Sequence, residues 1–303
     1  LSGSAARQEN PLPLDYDKVM HWPIPDSVQH YTERDTILYA LGVGAATENP
    51  PQDPQFVYER GLQALPTMAV VLAGGDFWLA DPALGIDLAR ILHGEQFLRL
   101  HQPLPARGTL VGRHAVEAIF DKGADKGAVM FLARRLYAQS TNELVAEVKM
   151  AIFLRGNGGF GGPAQDPSTV QPKPHPLPTD RAPDATLDLI TRPEQAAIYR
   201  LAGADPNPIH IDAGMARRAG FERPILHGLC SYGVAGRAVL KLLCGNEPAR
   251  LRRLDLRFAS PVYPGETLRT EVWHEGPGRA AFQVRVVERD QLVLSNGCAE
   301  FDA

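Results

Sequence analysis

Four residue pairs recur at one spacing: Pro66 and Pro224, Pro103 and Pro261, Thr109 and Thr267, and Leu110 and Leu268 all stand 158 positions apart. A constant offset of this kind marks an internal duplication and restricts the chain to a fold that can be built twice. A second echo sets Thr32-Glu33-Arg34-Asp35, then Tyr39-Ala40-Leu41-Gly42, against Thr191-Arg192-Pro193-Glu194, then Tyr199-Arg200-Leu201-Ala202. In both, a Thr is followed three positions later by an acid. That is a capping-box pattern, so a helix with an N-cap at Thr32 and another at Thr191 is expected.

Between the copies runs Gly156-Asn157-Gly158-Gly159-Phe160-Gly161-Gly162-Pro163, followed by Pro167, Pro172, Pro174, Pro176, Pro178 and Pro183. Gly frees the backbone and Pro removes hydrogen-bond donors, so the stretch reads as a surface linker. No Lys-Ser/Thr follows the glycines and Pro163 interrupts any helix, which argues against a phosphate-binding loop. The expected division is a first repeat over 15–155, a linker over 156–184 and a second repeat over 185–303.

Each copy reads as short helix, loop, helix and then several strands. Apolar alternation over Leu251 to Phe258, Thr267 to His274, Ala280 to Glu288 and Leu292 to Phe301 predicts strands, and Pro264-Gly265 and Gly276-Pro277-Gly278 mark turns. A helix set against an antiparallel sheet is the α+β class. With 303 residues, 44% of them hydrophobic, the chain can bury one large or two medium cores.

Composition removes several function classes. A formal net charge of −4 argues against nucleic-acid binding through phosphate neutralisation. No apolar run approaches the roughly 18 residues of a membrane-spanning helix, so no membrane partner is expected. Cys230, Cys244 and Cys298 are odd in number and widely spaced, which suits neither a disulfide scaffold nor a CxxC metal site and points to a reducing compartment. Leu1 to Arg7 lacks the apolar core of a signal peptide, and Phe301-Asp302-Ala303 is unlike a peroxisomal S-K-L ending. A cytoplasmic location is the expectation.

Chemistry concentrates in Asp205-Pro206-Asn207-Pro208-Ile209-His210 and in Pro224-Ile225-Leu226-His227-Gly228-Leu229-Cys230. A carboxylate and an imidazole five positions apart on a Pro-stiffened loop can converge on one water. Gly228 opens a helix-like stretch whose first N–H groups lack partners, an anion hole beside acid/base groups. Asn207 stands where it can orient the water or a dyad member. Taken singly, Asp-Pro and Asn-Pro are turn formers. His227 reads chiefly as a core histidine bonded to a carbonyl, and Cys230 as a packing residue. His210-Ile211-Asp212 has no third ligand at motif spacing, so no metal is expected. Arg250, Arg252, Arg253 and Arg257 crowd one predicted strand, which fits either phosphate contacts or a solvated strand face.

The run from Tyr199 to Asp212 resembles the hydratase 2 signature of the MaoC-like enoyl-CoA hydratases, Y-R-L-S-G-D-x-N-P-L-H-x-D. Phe258-Ala259-Ser260-Pro261-Val262-Tyr263-Pro264-Gly265-Glu266-Thr267 is similar to that family's F-x-x-P-V-Y-P-G-x-T. Ala204 stands where the family has Gly, and one extra residue separates Tyr199 from Asp205. The resemblance, over roughly residues 15 to 301, implies a double hot dog: two repeats, each with a central helix wrapped by a curved antiparallel sheet. It implies reversible, (3R)-specific hydration of trans-2-enoyl-CoA, with Asp205 and His210 as acid/base dyad, Asn207 orienting and the Gly228 N–H receiving the thioester oxygen. No cofactor is implied, CoA being part of the acyl-CoA thioester substrate, and a homodimer is. A hot-dog thioesterase and a non-catalytic acyl-CoA-binding module are the alternatives.

The copies differ where this chemistry sits. Opposite the Asp205 to His210 loop the first copy has Gly44-Ala45-Ala46-Thr47-Glu48-Asn49-Pro50-Pro51, and opposite His227-Gly228 the offset gives Ala69-Val70. Only the second copy is expected to catalyse, and the first to keep a partner surface.

Overall fold

Side-chain alternation along ten segments builds one antiparallel sheet, shown by a computed structural model that describes residues 14–47, 52–165, 175–178 and 180–303. The first half runs α1 (Tyr16–Met20), β1 (Ser27–Tyr31), α2 (Glu33–Gly42), β2 (Ile91–Leu100), β3 (Gly108–Asp121), β4 (Ala128–Ala138) and β5 (Leu144–Leu154). The second runs β6 (Ala185–Ile190), α3 (Gln195–Ala202), α4 (Ala213–Arg218), α5 (Gly228–Leu243), β7 (Leu251–Phe258), β8 (Thr267–His274), β9 (Arg279–Val286) and β10 (Gln291–Phe301). Spatially the order is β1-β3-β4-β5-β2-β7-β10-β9-β8-β6. Read inward from either edge, the halves have the same topology. They meet where β2 pairs with β7, from Glu95↔Arg257 to Arg99↔Arg253.

The α+β expectation holds, but the central helix does so in one half only. α5 has sixteen residues, twelve of them buried, and lies in a core that also takes in Tyr39, Val43, Met68 and Val70 of the first half. A helix apolar on most sides requires such a position. In the first half the corresponding place holds a 3-10 turn, Pro66–Val71, and then irregular chain. Gly74, Gly75 and Pro82 follow too closely for a long helix, and Ala73 and Gly75 adopt positive φ. That turn packs on α5, where a Cβ at Gly236 would overlap the Thr67 side chain, and the end of α2 does so at Gly233, where a Cβ would overlap the Val43 side chain.

The capping expectation also divides. Thr32 caps α2 as expected, its N–H donating to Asp35 Oδ2 at 2.8 Å. Thr191 is no cap. Its hydroxyl donates to the Glu266 carbonyl at 2.8 Å and accepts from the Gly265 N–H, and α3 starts four residues later with Glu194 as N-cap. The Thr191 N–H that a reciprocal box needs donates instead to the Glu266 carbonyl at 3.0 Å, and the hydroxyl is spent on the turn before β8.

Polar contacts knit the halves together. Arg237 and Lys241 of α5 hold the buried Asp53 at 3.2 and 2.6 Å, and Arg237 Nη1 donates to the Gly44 carbonyl at 2.7 Å. Burial pushes the Asp53 carboxyl up, yet the two cations keep it below the usual carboxylate range. Gln195 donates to the Leu41 carbonyl at 3.0 Å, and Arg192 to the Ala46 carbonyl at 2.7 Å. Part of the loop opposite the dyad, 48–51, lies outside the described residues, as do 166–174 and 179 of the expected linker. Among the described residues no helix is long and apolar enough to cross a membrane, and Cys230, Cys244 and Cys298 are free and buried.

Candidate active site

α3 ends at Ala202, and Ala204 takes a left-handed φ of +51° that turns the chain into the Asp205 loop. This is the position at which the resembling motif has Gly, and the backbone conformation is one that Gly adopts without cost. The Pro-rich path is then fixed from within. Asn207 Oδ1 accepts from the Ile209 N–H at 3.2 Å, capping the 3-10 turn Pro208–His210, and Asp205 Oδ1 accepts from the Asn207 N–H at 3.0 Å. Asn207 therefore steadies Asp205 through its main chain while its side-chain oxygen is occupied.

His210 is buried, and its Nδ1 lies 2.8 Å from the Ile225 carbonyl. Only a protonated Nδ1 can make that bond, which leaves Nε2 as an acceptor. Nε2 faces Asp205 Oδ2 across 4.0 Å, too long for a direct hydrogen bond. Burial pushes the imidazole below the ordinary histidine range, more than the Ile225 carbonyl and Asp205 raise it. Asp205, with its side chain 45% exposed, opens the pair to solvent. The result is a neutral base beside a carboxylate.

Gly228 is the first residue of α5, with His227 as N-cap. Among the described residues its N–H donates to no acceptor, as first-turn amides do not. The sixteen-residue helix that it opens gives that N–H a partial positive charge. Phe258 packs on it, a Cβ there lying 3.3 Å from Phe258 Cε1.

His227 is more than the core residue the sequence suggests. It does approach a carbonyl, that of Asp205, with Nε2 at 3.4 Å. It also stacks on His210 with ring centroids 3.7 Å apart and planes inclined by 25°, and meets the Tyr199 ring, tilted by 49°, at 5.0 Å. Burial, followed by the neighbouring His210, drives its pKa down to about 4. One residue thus touches both Asp205 and His210 and precedes Gly228. No spacing rule reveals this, because the stack forms between a loop and a helix start. Asp212, considered with His210 as a ligand pair, instead caps α4 through the Met215 N–H at 2.8 Å. Ligand atoms of Asp205, His210 and His227 lie within 4.8 Å of one another. The structure thus supplies in His227 a third ligand type that motif spacing did not offer, while His210 Nδ1 and His227 Nε2 lie against the Ile225 and Asp205 carbonyls.

The strand arginines are mostly engaged. Arg252 pairs with Asp302 at 2.6 Å, Arg253 with Asp255 at 2.5 Å and Glu300 at 2.7 Å, and Arg250 donates to the Asp302 carbonyl at 2.9 Å. Arg253 and Arg257 line a cavity of about 420 Å³ with Glu95, Asp255 and Arg279. This cavity contains none of the dyad residues and lies on the opposite face of the sheet.

Comparison with known proteins matches residues 175–296 to the MaoC like domain and residues 29–156 to the MFE-2 hydratase 2 N-terminal domain. The chain is 44% identical to 3-hydroxyacyl-thioester dehydratase Y of Mycobacterium tuberculosis, covering 90% of this chain and 93% of that protein. It is 39% identical to the probable enoyl-CoA hydratase 2 of Dictyostelium discoideum, covering 95% and 97%. It spans only 37% of the peroxisomal multifunctional enzyme type 2 of Mus musculus, at 43% identity over 90% of this chain. Among solved structures, a MaoC-like dehydratase from Phytophthora capsici superposes with a TM-score of 0.82 at 36% identity, over 95% of this chain and 99% of that one. A Mycobacterium tuberculosis protein described as a double hot-dog fold, at 16% identity and a TM-score of 0.54 over 91% and 93%, shares the fold.

Proposed function

Because the chain belongs to the MaoC-like family and is a double hot dog of the hydratase 2 type, we propose that it hydrates trans-2-enoyl-CoA reversibly to (3R)-3-hydroxyacyl-CoA. It is a hydro-lyase. The observation that carries the site assignment is the open Nε2 of His210 facing Asp205 Oδ2 at 4.0 Å, beside the uncommitted Gly228 N–H.

Water held between the pair gives its oxygen to C3 and one proton to the pair, and C2 takes one proton from it, so the pair ends as it began. Electron density that moves onto the thioester oxygen on the way meets the Gly228 N–H and the positive end of α5. Asn207 keeps Asp205 in place. The steps need no metal or redox cofactor, and CoA enters only as part of the substrate. Residues 15–155 form the repeat without the dyad, 156–184 the connecting stretch and 185–303 the catalytic repeat. A cytoplasmic homodimer that binds neither nucleic acid nor membrane completes the reading.

The test is incubation with crotonyl-CoA while both conjugated-thioester absorbance and free thiol are followed. Hydration lowers the first alone. Release of thiol would make the protein a thioesterase, and no change in either would make it a binding module. Chiral analysis of the product should give the (3R) alcohol, and mainly (3S) product would contradict the stereochemical assignment.

A further inference from the structure

One strand of the half without a dyad reaches the side chain that packs on Gly228. β2 pairs with β5 as His93↔Ile152 and then Glu95↔Ala151, which leaves Gly94 as an extra residue. A bulge of this kind reverses the alternation of side chains and re-aims them. Glu95 and Phe97 therefore line the outer cavity with Asp255 and Arg257, while His93 turns to the inner face. Gly is required at the bulge because a Cβ on Gly94 would overlap the Phe153 ring.

His93 meets Phe258 edge to face, with ring centroids 4.9 Å apart. Phe258 in turn packs on Gly228, whose N–H is assigned above to the thioester oxygen. The imidazole is half-buried, sits 3.2 Å from the Glu95 carbonyl through Nε2, and feels the charge of Asp205. Burial drives its pKa down to about 4, so it stays neutral and adds no cation beside the carboxylate.

We propose that the first half furnishes one wall of the substrate cleft, and that His93 is a positioning residue of that wall, holding Phe258 against Gly228 where the thioester is received. This rests on the hydratase reading. Edge-to-face contact fixes the plane of Phe258, and Phe258 limits how the reacting thioester can lie against the helix N-terminus. Small displacements at such a point act on the transition state more than on binding.

The experiment compares His93→Leu, which keeps bulk but loses the aromatic edge, with His93→Phe, which restores it. With crotonyl-CoA, His93→Leu should lower kcat about 10-fold with KM changed less than about twofold, while His93→Phe recovers to within about threefold of the unaltered protein. Melting temperatures are measured in parallel. Normal turnover in His93→Leu, or equal losses in both variants, would overturn the proposal. The unaltered protein is assayed first, and absence of hydration there sinks the hydratase reading alone. In that event the wall is judged by calorimetric affinity for butyryl-CoA, which His93→Leu should weaken about fivefold and His93→Phe restore. Unchanged affinity would then overturn it.

Discussion

At the position where the second half leaves a backbone N–H open, the first half commits its carbonyl to a side chain. Gly228 presents an uncommitted N–H at the start of α5. Its counterpart at the 158 offset, Val70, sits in a 3-10 turn, and its carbonyl accepts from Arg134 Nη2 at 2.6 Å. The loop that carries Asp205 and His210 has as counterpart a segment whose Gly44 and Ala46 carbonyls are bound by Arg237 and Arg192. Strand order is common to both halves, while the groups that face the pocket are not. The sheet thus tolerates opposite uses of one loop, provided that the orphaned polar groups are either satisfied within the protein or left for substrate.

The comparison is broken most directly at the dyad. Asp205→Asn and His210→Ala should each reduce turnover by roughly 10²-fold or more while the protein remains folded, as steady-state kinetics and circular dichroism would show. Near-normal turnover in either variant would mean that the two loops are not chemically different. Next is the open amide. Gly228→Val brings a side chain against Phe258 and shifts the donor, and loss of an aligned oxyanion donor costs about 3 kcal/mol, roughly a hundredfold in rate. The matching change in the other half, Val70→Gly, should leave turnover within about twofold, since Gly alone does not create a free helix start.

A sharper test concerns His227. His227→Phe keeps a ring on His210 but loses the approach to the Asp205 carbonyl, and one hydrogen bond at about 1 kcal/mol predicts a loss of about fivefold in kcat. Across the halves, Asp53→Asn leaves Arg237 and Lys241 without their carboxylate. Urea denaturation should then show about 3 kcal/mol less stability, with turnover nearly kept. The last effect is a slope. The folded-state pKa of His227 is lowered to about 4, so below its ordinary 6.5 the unfolded chain takes up a proton that the folded chain refuses. Stability should therefore fall as pH drops from 6.5 toward 4, by about 1.4 kcal/mol per pH unit from this residue, and His227→Phe should flatten that slope.

What the sequence made legible was whatever depends on local order. Alternation located β7 and β8 residue for residue, and the spacing of Asp205, Asn207 and His210 brought together groups that one short loop now holds. Thr191 misled because its hydroxyl is bound by Glu266 and Gly265, which are 75 and 74 residues away. His227 lay beyond reach for a similar reason, since a stack between a loop and a helix start leaves no periodic trace. His93 was hidden more deeply: a single inserted residue, Gly94, reverses its face, and regular alternation would have sent it to the other side. The missing first-half helix was foreshadowed by Gly74, Gly75 and Pro82, but the duplication argued the other way.

The seam between β2 and β7 joins two strand edges of one chain. If the halves were separate molecules, that pairing would be a bimolecular encounter that weakens on dilution. Covalent linkage makes it an intramolecular closure with an effective concentration set by the connection, so the seam's occupancy does not depend on how much protein is present. Linkage also ends the symmetry of inheritance, because a substitution in one repeat is no longer copied into its partner as it is at a two-fold interface of identical subunits. Two corresponding loops can then be refined independently on one sheet.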